Sequence, residues 1–350
     1  MDSRSGWNSV RLIAVGLALV AFSQISVAQT WVQSHPGGAG APSARAWHAF
    51  SANAGTDAYL YSGLTNGGQP RDFWRYSFTS NSWTEIPLPS KGGPGARHAA
   101  SSSFASGKFV LFGGSGPSQR RGKPSTILND AWLWDETSNE WTSSPTKCVR
   151  NSPCPGQRWF GSFTFDQTNG YHLLFGGQQP LSNVIYGDTW SYTVSGNTGA
   201  WTLHNPISHP SARFQSALAH VASQGGVVLY GGRDATSILT DLWTWRGSNW
   251  QVITQHNAGP VVRDAAATYD EVLGFLVVVG GSVSLNEDVP SADTWVFNFS
   301  NGLWTNLGET AGLTPRVGTR LVYSTGAGKT AFSHGSAGTG ALLLDTWESN

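Results

Sequence analysis

Residues 227–245 read VVLYGGRDATSILTDLWTW, an apolar run that ends in a glycine pair and is followed by Asp241-Leu-Trp243. The same order of Asp, any residue and Trp recurs along the 350-residue chain, with 52 to 58 residues between successive tryptophans. The six copies are Asp72-Phe-Trp74, Asp130-Ala-Trp132, Asp188-Thr-Trp190, Asp241-Leu-Trp243, Asp293-Thr-Trp295 and Asp345-Thr-Trp347. A constant period of this length is typical of proteins built from repeated supersecondary units.

Each repeat predicts four short strands. The apolar run is the second strand, Asp-x-Trp opens the third, and a further tryptophan marks the fourth in the first five repeats. The chain ends before a sixth such tryptophan, but Trp31 lies 14 residues before Arg45, as Trp83 lies 14 before Arg97. Trp31 therefore has the register of a fourth strand. An arginine opens the first strand of every repeat, at Arg45, Arg97, Arg158, Arg213, Arg263 and Arg316.

The inner strands of each repeat are nearly all apolar, as expected for a small sheet that is covered on both faces. One such sheet cannot bury its own faces, whereas sheets packed radially bury each other. We therefore predict an all-β fold: a six-bladed β-propeller of four-stranded antiparallel blades. It occupies residues 29–350 as a single domain and is closed by the N-terminal strand around Trp31 joining the last blade.

The glycine pair after an apolar strand, the aromatic residue that follows it and the second tryptophan resemble the kelch-repeat family. The resemblance extends from Trp31 to Trp347. It implies a kelch propeller, a fold that serves as a binding module, as a scaffold and, less often, as an enzyme. It therefore supports the fold more strongly than any one function.

The N-terminus has the pattern of an export signal. Arg4 and Arg11 precede an apolar run at Leu12–Phe22, and the small residues Ser26-Val27-Ala28 follow. We expect residues 1–28 to be a cleaved signal peptide, since a membrane span needs about 20 apolar residues. The expected location is secreted or periplasmic, with no membrane association after cleavage. In that oxidising environment, the two cysteines, Cys148 and Cys154, are expected to form one loop disulfide.

Composition argues against several classes of partner. Lys plus Arg and Asp plus Glu are 21 each, so no global field favours nucleic acid. Two cysteines are too few for a cysteine-rich zinc site, and His48 with His98 lacks a defined third ligand. The sequence contains no nucleophile elbow, zinc-binding histidine pair or phosphate-binding glycine loop. We expect no metal and no cofactor.

Comparison of the repeats separates scaffold from site. The arginines and the Asp-x-Trp aspartates recur in all repeats and open strands at one end of the meander, so we expect them to bind each other or loop carbonyls. We call this end, which also carries the loops between second and third strands, the loop face. The residues after the arginines differ and are expected to line the mouth of the central channel: Ala46, His98, Trp159, Phe214, Asp264 and Val317.

Basic loops border the same mouth. The predicted ligand-binding residues are Arg120, Arg121, Lys123, Arg233, Trp159, Phe214 and His98. Guanidinium groups suit an acidic ligand, and aromatic faces suit a hydroxyl-rich one. The alternative for residues 120–123 is a solvated loop without a ligand.

We expect a binding module, not an enzyme, that recognises a protein or glycan ligand outside the cytoplasm. The alternative is a carbohydrate-active enzyme, an epimerase, mutarotase or lyase acting on an acidic sugar. The chain is similar in architecture to N-acetylneuraminate epimerase, but it has no matching catalytic motif. An enzyme predicts a deep axial pocket with a carboxylate or histidine near arginines, whereas a binder predicts a shallow surface. The acid–base candidates are His98, Asp264, Glu287 and Asp288.

Overall fold

The structure, a computed structural model, describes residues 30–90, 92–117, 125–144, 153–338 and 340–350. The expected signal peptide lies outside these ranges, as do Arg120, Arg121, Lys123 and Cys148. Within them, no helix has the length and apolar character that crossing a bilayer requires. The regular helices there are two single 3₁₀ turns, Pro180–Ser182 and Ala222–Gln224.

Six four-stranded antiparallel sheets form the blades. The strands of blades 1 to 3 are Ala49–Ala52, Asp57–Tyr61, Phe73–Ser77 and Ser82–Glu85; Ser101–Ala105, Lys108–Phe112, Ala131–Asp135 and Glu140–Ser144; and Ser162–Asp166, Tyr171–Phe175, Thr189–Ser195 and Thr198–His204. The strands of blades 4 to 6 are Ala217–Val221, Gly226–Tyr230, Leu242–Trp245 and Trp250–Ile253; Ala266–Asp270, Phe275–Val279, Asp293–Asn298 and Leu303–Glu309; and Arg320–Ser324, Lys329–Ser336, Leu342–Ser349 and Trp31–His35. The predicted six-bladed propeller is confirmed.

Two small ribbons rise from the loop face. Ser115–Gly116 pairs with Thr126–Ile127 in blade 2, and Gln178–Gln179 pairs with Val184–Ile185 in blade 3. Both lie in loops between a second and a third strand, so the loops that border the mouth are partly built from regular backbone pairing.

The first strands line the axis and close a ring. Each contacts the first strand of the next blade, and the first strand of blade 6 contacts that of blade 1. The apolar second strands are buried between blades. For example, Val110 and Phe112 of blade 2 pack in one cluster with Leu174 and Trp190 of blade 3. The core is therefore distributed over the joints between blades, as expected when no blade can bury its own faces.

The N-terminal strand completes the last blade. Trp31–His35 pairs antiparallel with Leu342–Ser349, which places Trp31 opposite Ser349 and Gln33 opposite Trp347. The indole of Trp31 is 4% exposed and belongs to the same apolar cluster as Trp347. Its Nε1 donates a hydrogen bond of 2.8 Å to Thr294 Oγ1 in blade 5. The predicted closure around Trp31 is confirmed.

The change Trp31→Phe tests this closure. It removes a buried hydrogen bond and part of a buried ring, so we expect the free energy of unfolding to fall by about 1–2 kcal/mol. Urea denaturation followed by circular dichroism measures the change. The control is Val32→Ala in the same strand, whose side chain points outward and is 48% exposed. Equal effects from the two substitutions would contradict the role of Trp31.

Candidate functional site

Five of the six recurring arginines hold their own blade together. In blade 3 the Arg158 side chain is 1% exposed, and its Nη1 and Nη2 bind Asp188 Oδ1 and Oδ2 at 2.6 and 2.8 Å. Arg158 also donates to Gly176 O, and Trp190 Nε1 donates to the same aspartate. The equivalent two-pronged pairs are Arg45–Asp72, Arg97–Asp130, Arg213–Asp241 and Arg316–Asp345. These groups are scaffold, as the repeat comparison predicts.

The expectation of a sixth equivalent arginine is wrong in blade 5. Arg263 binds Asp288 at 3.0 Å and the carbonyl oxygens of Ser284 and Glu287, and it does not form an ion pair with Asp293. The reason is the length of the segment before the first strand. Arg158 lies four residues before its strand at Ser162, whereas Arg263 lies three residues before Ala266. Val262 therefore occupies the scaffold position.

Backbone pairing confirms this shift of one residue. Arg263 pairs with Ser282 as Trp159 pairs with Gln178. The first mouth position therefore contains Ala46, His98, Trp159, Phe214, Arg263 and Val317, so Asp264 was assigned to the wrong place. The following residue has a positive φ of 50–65° in every blade, and this second position contains Trp47, Ala99, Phe160, Gln215, Asp264 and Gly318.

Aromatic side chains from blades 1 to 3 form a continuous arc around the mouth. The ring centroids of Trp47 and His98 are 6.4 Å apart, those of His98 and Trp159 are 6.0 Å apart, and those of Trp159 and Phe160 are 5.2 Å apart. Trp47 and Phe160 close the arc at 6.4 Å. All four side chains are half-buried. The arc offers flat apolar faces to a ligand on the loop face.

The described residues of the predicted ligand site lie along this mouth. Trp159 donates through Nε1 to Gln178 Oε1 at 3.1 Å. His98 accepts a hydrogen bond from Gln69 at Nδ1, and burial lowers its pKa, so its imidazole is neutral at pH 7. Phe214 is buried beneath a guanidinium group and does not itself present an open face.

Arg233 is that guanidinium, with its central carbon 5.1 Å from the centroid of the Phe214 ring. It donates to the backbone oxygens of Asp234 and Leu285, the latter in blade 5. No carboxylate of the described residues forms an ion pair with it. Its charge is therefore available to an acidic ligand, unlike that of the scaffold arginines.

The loop-side half of the axial channel is a cavity of about 110 Å³. Five of the six blades place a small side chain at the first residue of the innermost strand, and blade 6 places an arginine there. The residues at this position are Ala49, Ser101, Ser162, Ala217, Ala266 and Arg320. Arg320 thus places a cation at a position where the other blades have small neutral side chains.

Asp264 lies beside Arg320 in the same cavity. Its side chain is 2% exposed; Oδ1 is 3.3 Å from Arg320 Nη1, and Oδ2 accepts a bond of 2.6 Å from Trp47 Nε1. Burial raises the pKa of Asp264, while Arg320, the Trp47 bond and Arg263 act in the opposite direction. The axial chamber therefore contains a buried carboxyl group with a neighbouring guanidinium.

Gly318 explains how an indole from blade 1 reaches an aspartate in blade 5. A Cβ at position 318 would lie 2.6 Å from Trp47 Nε1, so a glycine in blade 6 leaves room for the ring. Trp47 and Arg320 were missed by the sequence analysis. The available signal was that Arg320, four residues after the recurring arginine of its repeat, replaces the Ala or Ser that the other repeats have at that place.

The axial chamber adjoins a second cavity on the side away from the loop face. This second cavity, of about 180 Å³, occupies the half of the channel nearer the opposite face. Each blade contributes one residue that borders both cavities: the large apolar residues are Phe50, Phe163, Leu218 and Leu321, and the small ones are Ser102 and Ala267. The large apolar side chains lie where the chamber that contains Asp264 and Arg320 meets the second cavity.

The remaining predicted residues have separate outcomes. Asp288 is paired with Arg263, and Glu287 is exposed with its backbone oxygen bound to that arginine. Cys154 packs against the cluster between blades 2 and 3. Because Cys148 lies outside the described residues, the disulfide stays a prediction. Over the ranges that the structure covers, no group of three His, Cys, Asp or Glu side chains could hold a metal ion.

Comparison with known proteins identifies relatives. A sequence profile of the KLHDC2/KLHL20/DRC7 Kelch-repeats domain matches residues 20–206 and 123–335. The tRNA wybutosine-synthesizing protein 4 of Emericella nidulans is 30% identical over 168 residues, which are 45% of this chain and 14% of that protein. The multiple epidermal growth factor-like domains protein 8 of Rattus norvegicus is 26% identical over 259 residues, 71% of this chain and 9% of that protein. The chain thus spans less than a sixth of either relative.

A solved structure is similar over almost the whole propeller. The structure of YjhT superposes with a TM-score of 0.67 over 89% of this chain and 96% of that one, at 15% sequence identity. At this identity the likeness shows the fold alone.

Proposed function

Because the chain belongs to the kelch-repeat family, we propose that it is an extracytoplasmic binding module whose loop face recognises a protein or glycan ligand. Kelch propellers generally mediate protein interactions. The observation that carries the proposal is the two-sided mouth. The aromatic arc of blades 1 to 3 lies on one side, and Arg233, Asp264 and Arg320 of blades 4 to 6 lie on the other.

This arrangement suits a ligand that is both acidic and partly apolar. Flat rings stack on sugar or aliphatic surfaces, while a guanidinium group bound only to carbonyl oxygens can bind a carboxylate. The proposal of an extracytoplasmic location is supported by the signal-like pattern of residues 1–28.

Simultaneous change of Arg120, Arg121 and Arg233 to Ala tests the basic side of the mouth. We expect at least a tenfold loss of affinity for the best ligand in a panel of acidic glycans and peptides, since charge-assisted hydrogen bonds disappear. Isothermal titration calorimetry measures the affinity. Arg75→Ala, on an exposed position of blade 1, is the matched control. If the triple variant loses less than threefold in affinity, these arginines do not bind the ligand.

A carbohydrate-active enzyme is the second candidate, and the Asp264–Arg320 pair favours it. A carboxyl group with a raised pKa can hold and transfer a proton, and the adjacent guanidinium can bind the carboxylate of an acidic sugar. An epimerase, mutarotase or lyase would use both the proton transfer and the binding of the sugar carboxylate. Following the same glycan panel by NMR for product formation distinguishes this candidate from a binding module.

A further inference from the structure

The joint between blade 6 and blade 1 contains a pair of histidines that other joints lack. His48 directly follows Trp47, and the residues at the same place in the other blades are Ala100, Gly161, Ser216, Ala265 and Thr319. His334 precedes the last glycine of the second strand, where the other blades have Ser62, Gly113, Gly176, Gly231 and Gly280. Every other joint carries small residues at both places.

Both imidazole rings are completely buried, and their centroids are 5.5 Å apart. His334 bonds through Nδ1 to Ser333 Oγ, and its Nε2 is 3.4 Å from Pro42 O. Neither ring nitrogen of His48 has a hydrogen-bond partner. His334 also adopts a φ of 59°, which favours glycine.

These features destabilise the joint between blades 6 and 1. The other five joints avoid this cost because they have small residues at the same two places. A buried polar group without a partner costs about 1–3 kcal/mol, and a bulky residue with positive φ adds strain. The pair therefore lowers the stability of the joint at which the ring closes.

The charged groups around the pair are mostly cationic. Arg45 faces both rings, Arg320 faces His48, and Arg316 faces His334. The carboxylate facing His334, Asp345, is already bound by Arg316 through two hydrogen bonds. Asp72 is bound in the same way by Arg45. No free carboxylate of the described residues faces the pair to stabilise a protonated imidazole.

Both histidines are therefore neutral in the closed ring at pH 7. Burial, with the neighbouring imidazole and guanidinium groups, lowers the pKa of His48 well below its ordinary value. Burial together with Arg45 lowers the pKa of His334 to about 3.

We propose that His48 and His334 form an acid-sensitive latch: protonation of either ring opens the joint between blades 6 and 1, which responds to acid more steeply than any other joint.

The direction in which pH changes the opening of the joint follows from proton linkage. In an open joint the imidazoles are hydrated and titrate near 6.5, so below that pH the open state binds more protons than the closed state. Closure is therefore favoured above about pH 6.5 and weakens as the pH falls. At pH 5, one such histidine multiplies the opening equilibrium by about 30.

Opening of this joint also affects the mouth. The backbone N–H of Trp47 donates across the joint to Gly318 O at 2.8 Å, and the Trp47 indole binds Asp264. The latch therefore makes the arrangement of the mouth depend on pH. This inference goes beyond the proposed function, and its test needs no ligand.

Hydrogen exchange of the full chain, measured by mass spectrometry at pH 7 and pH 5 and corrected for intrinsic rates, tests the latch. We expect amides of residues 44–50, 318–324 and 331–336 to gain at least about tenfold in opening at pH 5. The joint between blades 2 and 3 is the internal comparison, since it contains one buried histidine, His172, whose pKa burial lowers to about 3. Its response is expected to be shallower because it takes up one proton.

Two sets of variants complete the test. His48→Ala with His334→Gly copies the residues of other joints and is expected to abolish the acid response at this joint. His48→Asn with His334→Asn keeps polar but uncharged groups, tolerates the positive φ, and replaces the first set if that does not fold. His172→Gln is expected to leave the latch unchanged. Equal opening of all six joints in the parent, or an acid response that survives in either double variant, overturns the proposal.

Discussion

The substitution Asp188→Asn is expected to lower the free energy of unfolding by about 3–5 kcal/mol. Asn preserves the shape of the side chain but leaves the guanidinium of Arg158, which is 1% exposed, without its counter-ion. The hydrogen bond that Asp188 accepts from Trp190 also loses its charged acceptor. Equilibrium denaturation in urea, monitored by tryptophan fluorescence, measures the loss.

Asp293→Asn is the matched control because the residue has the same place in its Asp-x-Trp unit. Its arginine has moved to Asp288, so Asp293 has no buried cation to neutralise. Its carboxylate accepts a weak hydrogen bond of 3.5 Å from Asn306 Nδ2. We expect this variant to stay within about 0.5 kcal/mol of the parent. Similar losses for the two aspartates would refute the assignment of Arg263 to the mouth.

Arg320→Ala is expected to weaken the binding of an acidic ligand to the loop face by 10- to 100-fold, the equivalent of about 1.4–2.7 kcal/mol. The smaller side chain fits the blade, since Ala or Ser occupies this place in every other blade. Calorimetric titration with N-acetylneuraminate and glucuronate, with glucose as a neutral probe, measures the effect. Unchanged affinity for both acids would exclude Arg320 from the site.

Asp264→Asn separates the effect of the carboxyl group from that of its neighbour. Asn can still accept the hydrogen bond from Trp47, so the mouth keeps its shape. If the chain is an enzyme, turnover of the acidic sugar is expected to fall by at least 100-fold, with affinity retained within threefold. If it is a binding module, the parent forms no product, and the variant alters affinity alone.

Repetition made the scaffold of this protein predictable from its sequence, because each repeat serves as a control for the others. Recurring arginines and aspartates were correctly assigned to the scaffold in five blades, and Trp31 was correctly placed in the last one. Each inference rests on a residue whose role depends on its own blade and that blade's neighbours. Local pattern is sufficient in such cases because every copy meets the same surroundings.

The residues of the candidate site were harder to predict by comparing the repeats. Aligning repeats by arginine hid the missing residue before Ala266 and placed Asp264 where Arg263 belongs. Trp159 and His98 were correctly expected at the mouth, but the depth of the chamber and the role of Arg320 were not seen. The contributions of Arg120, Arg121 and Lys123 stay predictions.

By itself, the sequence determined that six sheets close into a ring, because apolar inner strands and paired tryptophans can be buried only by neighbouring copies of the same unit. The tertiary structure alone decided what the ring contains at its axis. Trp47 and Asp264 are separated by 217 residues, and Asp264 and Arg320 by 56. They meet because closure of the ring brings blades 1, 5 and 6 around one channel, and a single residue fewer in blade 5 turns an arginine from the scaffold to the mouth.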